Sequence, residues 1–329
     1  MEKFVIAVVK RLILFISIVL LFVSGCKKGS YFQRRLFLMD TFWDINVKTL
    51  NKKKADKVFS ILYKELKRIE RRLNVYDPES EIGILNRTKR VSFNEDEISL
   101  IKDSIYIGKL TKGAFDISIF PLRKLWKFNK SEVFRSKEKI ERIRESVNFS
   151  KIKVIGNDVV LEKNMEIDLG GIAKGFALKK AKDILISYGI KDALINAGGD
   201  IYALGRYKSR PWRIGIQHPR KRGVFAVVNG ENKAVVTSGD YERFFMYNGK
   251  RYSHIIDPHT GYPSDRCQSV TIITDDPILA DGLATGIFVM GPEDGLILLE
   301  RLPDVEGLIV DRNGRIFKSK GFKCKFIHK

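Results

Sequence analysis

Two hairpin signals constrain the fold of this chain more than any other feature. Asn248-Gly249 and Asn313-Gly314 each separate two short runs that are rich in branched and aromatic residues. Both positions of an Asn-Gly turn tolerate positive φ, so each pair predicts a tight connection between antiparallel strands. The helical patterns come in a few long pieces and do not alternate regularly with strands. The chain is therefore expected to have an α+β fold and not a doubly wound α/β fold.

Long amphipathic segments predict the helices. Residues 52–73 place Val58, Leu62 and Ile69 on one helical face, which indicates a helix packed on a flat surface. Further helices are expected from Ile98 to a point before Gly113, over 176–188 and over 277–289; strands are expected over 41–49, 193–196, 212–217, 224–228, 234–237, 244–247, 251–256, 270–273, 308–310 and 315–318. Residues 131–145 are highly charged and are expected to form a surface excursion.

The N-terminus has the composition of an export signal. Lys10 and Arg11 precede a short apolar run, which ends in the small residues Ser24 and Gly25 before Cys26. This pattern predicts a lipoprotein signal peptide over residues 1–25. The ending resembles a bacterial lipobox, in which Cys26 would be lipidated; the alternative is an uncleaved anchor helix. Either way we expect an exported protein at the bacterial cell membrane, on the periplasmic side of the inner membrane if the cell is Gram-negative.

The predicted signal peptide sets the expected domain boundaries. Residues 26–35 are expected to be a tether, and residues 36–329 a single folded domain. The net charge of the whole chain is +21. Such an excess can serve nucleic acid, anionic lipid or an anionic substrate. The lysines are scattered without an aromatic-interleaved stripe, and an exported lipoprotein seldom meets nucleic acid, so lipid headgroups are the expected partner and nucleic acid is not.

Cysteine usage leaves one question open. With Cys26 assigned to lipid, Cys267 and Cys324 remain, and they could form one disulfide in an oxidising compartment. Their spacing matches no metal motif.

A glycine-rich stretch raises the question of a phosphate ligand. Residues 168–175 read DLGGIAKG, in which glycines allow close approach of the backbone to an anion and Lys174 supplies a positive charge. The stretch matches neither the Walker motif nor the dinucleotide-binding glycine motif. A tight turn before a helix is the competing interpretation.

Two further patterns could carry chemistry. Asp281 and Thr285 are four residues apart on a predicted helix, so both project from one face and could share a hard cation through oxygen. The alternative is a Thr hydroxyl that bonds within its own helix beside a surface Asp.

His254 lies at a strand end beside the turn that contains Asp257. It could be a general base or a phosphate donor, or it could simply cap the turn.

The order of these segments gives a more specific reading. The series is 39–41 (MDT), 76–82 (YDPESEI) with Leu85 and Asn86, 113–116 (GAFD), 168–175 (DLGGIAKG), 196–200 (NAGGD), 237–241 (TSGDY), 254–258 (HIIDP), and Asp281 with Thr285. Over essentially everything after the tether, the chain resembles the ApbE family, the FAD:protein FMN transferases. The resemblance implies a T-fold-like α+β domain with antiparallel sheets, packed helices and two lobes around a FAD cleft.

The resemblance also implies roles for individual residues. The residues expected to line the FAD site are Met39, Tyr76, Ala114, Phe115, Asp116, Asp168, Lys174, His254 and Ile255. Asp281, Thr285 and the carbonyl of Gly171 are expected to hold Mg²⁺. The family usually has Met-Gly-Thr where this chain has Met39-Asp40-Thr41, so a side chain occupies a position where bare backbone is expected.

The implied reaction is phosphoryl transfer. A Thr or Ser hydroxyl of an exported or membrane redox protein would attack the FMN-side phosphorus of FAD, and AMP would leave. Lys174 would add positive charge, and His254 or Asp257 would take the hydroxyl proton. The alternatives are a FAD pyrophosphatase that gives FMN and AMP, and a flavin-binding lipoprotein without catalysis.

Overall fold

The structure is a computed structural model that describes residues 29–126 and 136–327. The strands of these residues are β1 Ser30–Leu38, β2 Thr41–Thr49, β3 Arg90–Ser92, β4 Lys153–Ile155, β5 Asp158–Val160, β6 Ala193–Ala197, β7 Asp200–Leu204, β8 Trp212–Gln217, β9 Val224–Gly230, β10 Lys233–Gly239, β11 Phe244–Tyr247, β12 Lys250–Ser253, β13 Cys267–Thr274, β14 Glu306–Asp311, β15 Ile316–Lys318 and β16 Lys325–Phe326. The helices are α1 Lys52–Leu73, α2 Glu81–Thr88, α3 Glu95–Leu110, α4 Phe120–Arg123, α5 Lys137–Arg144, α6 Ala173–Ser187, α7 Pro277–Met290 and α8 Pro292–Arg301, with a 3₁₀ turn at Phe149–Lys151.

One antiparallel sheet of eight strands organises the molecule. Its order is β1-β2-β6-β7-β10-β13-β14-β15, and every neighbouring pair in it runs antiparallel. The helices α1, α3, α6 and α7 share one hydrophobic core with it. A small sheet of β16, β9 and β8 encloses a second core on the other side. All eight residues of β13 are buried, as expected for a central strand covered on both faces. The α+β expectation is confirmed.

The first hairpin has the tight turn that Asn248-Gly249 predicts, whereas the second hairpin has a longer connection. Asn248 and Gly249 have φ of 47° and 72° and connect β11 to β12. In the second hairpin only Gly314 has positive φ, and the last ladder pair is Val310 with Ile316. The connection is therefore a longer loop, in which the Asp311 carboxylate accepts the N–H groups of Asn313 and Arg315.

The expected tether is partly wrong. β1 begins at Ser30 and pairs along its whole length with β2, so residues 30–35 belong to the sheet. The sequence obscures this because the centre of this edge strand is polar. Arg34 forms an ion pair with Asp56, and Arg35 with Asp44. Charged edge strands of this kind limit pairing with other chains.

Several other expectations have a structural outcome. α5 occupies part of the expected surface excursion and buries Ile140. Cys267 and Cys324 both carry free thiols, so the possible disulfide is absent. Burial raises the pKa of Cys267 to about 12.

Across residues 29–126 and 136–327, no helix has both the length and the apolar character to cross a membrane. The signal peptide and Cys26 lie outside the described residues.

Candidate active site

A cavity of about 470 Å³ opens at one end of the central sheet. The turn between β1 and β2, the connection from β6 to β7 and the end of β10 contribute Met39, Gly198, Asp200 and Ser238 to its wall. The volume is typical of cofactor pockets.

Nearly all of the predicted site residues line this one cavity. They are Met39, Tyr76, Ala114, Phe115, Asp116, Asp168, Lys174, His254 and Ile255, together with Gly171, Asp281 and Thr285. They come from positions far apart in the chain and from several elements. Asp257 is the exception and is not part of the wall.

The glycine-rich stretch turns directly into α6. Ile172 is the N-cap and makes no side-chain cap hydrogen bond. Gly170, Gly171 and Lys174 all line the cavity. The Ala173 N–H donates to the Leu169 carbonyl and the Gly175 N–H donates to Asp281, so the helix N-terminus would attract an anion through its partial positive charge and Lys174. The tight turn and the anion site are therefore compatible interpretations of this stretch.

Lys174 is held by a buried carboxylate. Its Nζ forms an ion pair with Oδ2 of Asp200, which is only 2% exposed. Burial alone would lower the pKa of Lys174, but the charges of Asp200 and Asp281 raise it above its usual value. Lys174 therefore stays positively charged in the cavity.

Asp281 links the two helices of the site. Its Oδ2 accepts the backbone N–H of Gly175 at 2.8 Å. Burial first, and then the charge of Asp200, raise the pKa of Asp281, while Lys174 and the Gly175 N–H lower it. Two buried carboxylates thus lie close to the half-buried side chain of Lys174.

Thr285 lies one helical turn beyond Asp281. Its Oγ1 is 3.2 Å from Oγ of Ser238. It also lies 3.7 Å from the point where a Cβ on Gly171 would stand, so the glycine turn passes close to it.

The oxygen atoms gathered here fit a hard divalent cation. Asp281 offers a carboxylate, Thr285 and Ser238 offer hydroxyls, and Gly171 offers a carbonyl, which is the donor chemistry that Mg²⁺ prefers. Oδ2 of Asp200 is buried and has no hydrogen-bond partner among the described residues, only the ion pair with Lys174. No cluster of three His, Cys, Asp or Glu side chains occurs in the part of the chain that the structure describes, because hydroxyl and carbonyl oxygens supply most of the set.

His254 lines the cavity, and its ring is held in one tautomer. Its backbone N–H donates to the Arg243 carbonyl at 2.9 Å, and its Nδ1 lies 3.1 Å from the same oxygen. Since a carbonyl only accepts, Nδ1 carries the proton and Nε2 is the basic atom. Burial, followed by the positive charge of Arg123, lowers the pKa of His254 to about 4.

Asp257 is turned away from the cavity. Its Oδ1 accepts the backbone N–H of His259 at 2.9 Å and lies 3.1 Å from Nδ1 of that residue. The expected strand over 251–256 ends at Ser253, so Asp257 lies in the turn that follows it. Asp257 stabilises the turn, and its expected role as a proton acceptor has no geometric support.

Two of the predicted acids hold the wall of the cavity. Asp116 accepts the Ser118 N–H at 2.7 Å and the Phe149 N–H at 2.9 Å. Burial raises its pKa, and these hydrogen bonds offset part of that rise. Asp168 accepts the Gly170 N–H at 2.8 Å and pairs with Arg123.

Sequence reasoning gave no role to three cavity residues. Arg123 lies with its Cζ 5.7 Å from the ring of Tyr76, which is 66% exposed. Asp200 and Ser238 lie in segments that the resemblance matched, and their positions at the ends of strands were the available signal.

Asp40 has φ of 56°, which explains a preference for Gly there, and its carboxylate lies 3.5 Å from Arg243.

The ApbE family model matches residues 39–309. The chain belongs to the ApbE family. The resemblance drawn from the order of the sequence segments is confirmed.

Curated relatives of this ApbE protein include two that are called FAD:protein FMN transferase. The protein from Vibrio cholerae is 32% identical over 271 residues, covering 78% of this chain and 81% of its own length. The protein from Treponema pallidum is 30% identical over 291 residues, covering 81% of this chain and 79% of its own length.

Solved ApbE structures share the fold. The ApbE protein of Thermotoga maritima superimposes with a TM-score of 0.82 at 34% identity, over 88% of this chain and 97% of its own. The flavin transferase ApbE of Vibrio cholerae superimposes with a TM-score of 0.81 at 27% identity, over 89% of this chain and 98% of its own. The mixed fold of helices and antiparallel sheets is therefore common to these proteins.

Proposed function

We propose that this protein transfers FMN from FAD to a Thr or Ser hydroxyl of an exported or membrane redox protein, with Mg²⁺ and with release of AMP. One observation carries the proposal. A single cavity brings together the N-terminus of α6 with Lys174, the oxygen set around Asp281 and Thr285, and the ring of His254. The names of the curated relatives support the same activity.

FAD would bind in a cleft between the two lobes of a T-fold-like domain. The sheet end, α6, α7 and residues 114–123 all contribute to the wall of this cleft. The diphosphate would lie at residues 170–174, where the N-terminus of α6 and Lys174 provide positive charge. Tyr76 offers an exposed ring on which a flat heterocycle could stack, beside the guanidinium of Arg123.

Asp281, Thr285 and the Gly171 carbonyl would hold the magnesium ion. When bound, the ion neutralises charge on the diphosphate and on the departing AMP. The Gly175 N–H fixes the orientation of the Asp281 carboxylate, and the ion pair with Asp200 fixes Lys174. These groups are thus oriented before the substrate arrives, which lowers the cost of reorganisation during the reaction.

His254 would accept the proton of the attacking hydroxyl at Nε2. The hydroxyl oxygen bonds to the FMN-side phosphorus, and the bond from that phosphorus to the bridging oxygen breaks, so AMP leaves with the electron pair. Because Nδ1 is engaged with the Arg243 carbonyl, the ring is held in one tautomer. General base catalysis of this kind typically contributes about 10²- to 10⁴-fold in rate.

Lipid anchoring at Cys26 is part of the proposal, and it would place the enzyme beside membrane redox proteins. The activity is tested by incubating the purified protein with FAD and Mg²⁺ and measuring AMP by chromatography. Release of AMP that requires Mg²⁺ supports the proposal. FAD binding without any AMP would leave only a flavin-binding lipoprotein.

A further inference from the structure

The chain enters the folded domain at the end of the central sheet opposite the cavity. β1 begins at Ser30 and runs for nine residues to the turn at Met39, which lines the cavity. A strand rises about 3.4 Å per residue, so the entry point and the cavity are separated by roughly 30 Å.

Three loops form one continuous surface around that entry point. Lys48 donates its N–H to the Asp192 carbonyl at 2.9 Å. Tyr31 Oη lies 3.4 Å from the Arg206 carbonyl and accepts the Lys208 N–H at 3.1 Å. We call this surface, made of residues 50–54, 189–192 and 205–210, the basic end.

Positive charge at the basic end is not balanced. Besides Arg206, which pairs with Glu231, its cations are Lys52, Lys53, Lys54, Lys191, Lys208 and Arg210, of which all but the half-buried Lys54 are exposed. The nearby carboxylates are already engaged, because Asp192 pairs with Lys48 and Glu231 pairs with Arg206.

Apolar side chains project from the same surface. Leu50 is 64% exposed and Tyr207 is 41% exposed. The Nζ of Lys208 lies 5.3 Å from the centre of the Tyr207 ring. Lysines interspersed with an aliphatic and an aromatic side chain are typical of surfaces that lie at the headgroup level of a membrane.

We propose that the basic end docks on anionic lipid headgroups, an inference that rests on the proposed lipid anchor at Cys26. Ser30 follows Cys26 by four residues, which span at most about 14 Å when extended. The anchor would thus hold the basic end within reach of the phosphates, where basic side chains are attracted to anionic lipid over about a Debye length. The cavity would then open roughly 30 Å from the headgroups, toward the soluble part of an acceptor protein.

The test uses the chain from residue 26 onward with Cys26→Ser, so that it carries no lipid. Partition is measured by co-sedimentation with vesicles of phosphatidylcholine containing phosphatidylglycerol, and with pure phosphatidylcholine. The triple variant Lys52→Glu, Lys53→Glu, Arg210→Glu reverses charge at the basic end. The matched control Lys109→Glu, Lys139→Glu, Lys163→Glu makes the same change in net charge at exposed positions elsewhere.

We expect binding to the anionic vesicles alone, weakened by salt, and at least about tenfold weaker for the first triple variant than for the control. Equal weakening by both variants would overturn the assignment to this face. Absence of binding by the parent chain, or equally strong binding to double-stranded DNA, would overturn lipid docking. AMP release from FAD is measured on each sample; if the variants keep it, they are folded, and its absence in the parent chain would count against the proposed function and not against docking.

Discussion

The backbone N–H of Gly175 donates to Oδ2 of Asp281 at 2.8 Å, which joins the first turn of α6 to the middle of α7. A Cβ on Gly175 would stand 2.3 Å from the Pro277 carbonyl oxygen and 2.8 Å from Cβ of Asp281. The two helices can cross this closely only because residue 175 has no side chain. The hydrogen bond from the Gly175 N–H also fixes the orientation of the Asp281 carboxylate.

Gly175→Ala should separate α6 from α7 and displace Asp281. We expect the free energy of unfolding to fall by about 1–3 kcal/mol, as for other overpacked cores, and AMP release to be lost. Denaturant unfolding and AMP release measure the two effects. Gly321→Ala is the control, since Gly321 does not line the cavity and a Cβ there would first meet the flexible Glu306 side chain, at 3.1 Å. Equal behaviour of the two variants would show that the close crossing does not matter.

Asp281→Ala should abolish magnesium-dependent AMP release while FAD still binds. The ring contacts proposed for FAD lie at Tyr76 and Arg123, away from this carboxylate. Flavin fluorescence titration measures binding, and AMP is followed against Mg²⁺ concentration. Asp275→Ala, which alters an exposed acid just before the same helix, is the control. Turnover that survives in Asp281→Ala at ordinary Mg²⁺ concentrations would remove this residue from the metal site.

The pH dependence of kcat/KM should reflect the lowered pKa of His254. A histidine in water is half protonated near pH 6.5, whereas burial and then the charge of Arg123 lower this pKa to about 4. Nε2 therefore stays unprotonated as the pH falls from 8 to 5, and kcat/KM should show no loss from this group in that interval. His254→Ala should lower kcat/KM by about 10²-fold or more. A protonation near pH 6.5 that disappears in His254→Ala would contradict the lowered pKa.

Asp257 should matter for the turn and not for proton transfer. Asp257→Ala removes the acceptor of the His259 N–H, and we expect a loss of about 1–2 kcal/mol in the free energy of unfolding. Asp257→Asn keeps an oxygen at this position and should retain both stability and AMP release within a few fold. A drop of 10²-fold in turnover by the folded Asn variant would restore Asp257 as a catalytic group.

Local patterns in the sequence were sufficient to predict most elements of the fold. Helix α1 has the bounds that its apolar face indicated, and β11 and β12 meet at Asn248-Gly249. The order of the central sheet could not be predicted, because pairs such as Asn46 with Leu194 join segments far apart in the chain. β1 was missed, because its polar centre carries no alternating pattern.

The site, like the fold, could be predicted only in part from the sequence. The family resemblance supplied the residues that line the cavity, since their identities are visible in short motifs. The ion pairs that orient them could not be read from the sequence. Arg123 meets Asp168, and Lys174 meets Asp200, only after the chain has folded. The contacts of Asp257 with His259 could not be read from the sequence either, because they depend on the turn that follows β12.

The central claim is that FMN is transferred to a protein hydroxyl. The most direct measurement is the intact mass of a flavin-carrier domain with a suitable threonine after incubation with this enzyme, FAD and Mg²⁺. We predict that one FMN is added through a phosphoester, that AMP is released in equal amount, and that a carrier with Thr→Ala at the acceptor position stays unmodified. If FMN and AMP accumulate while the carrier mass never changes, the protein is a FAD pyrophosphatase, and His254 activates water.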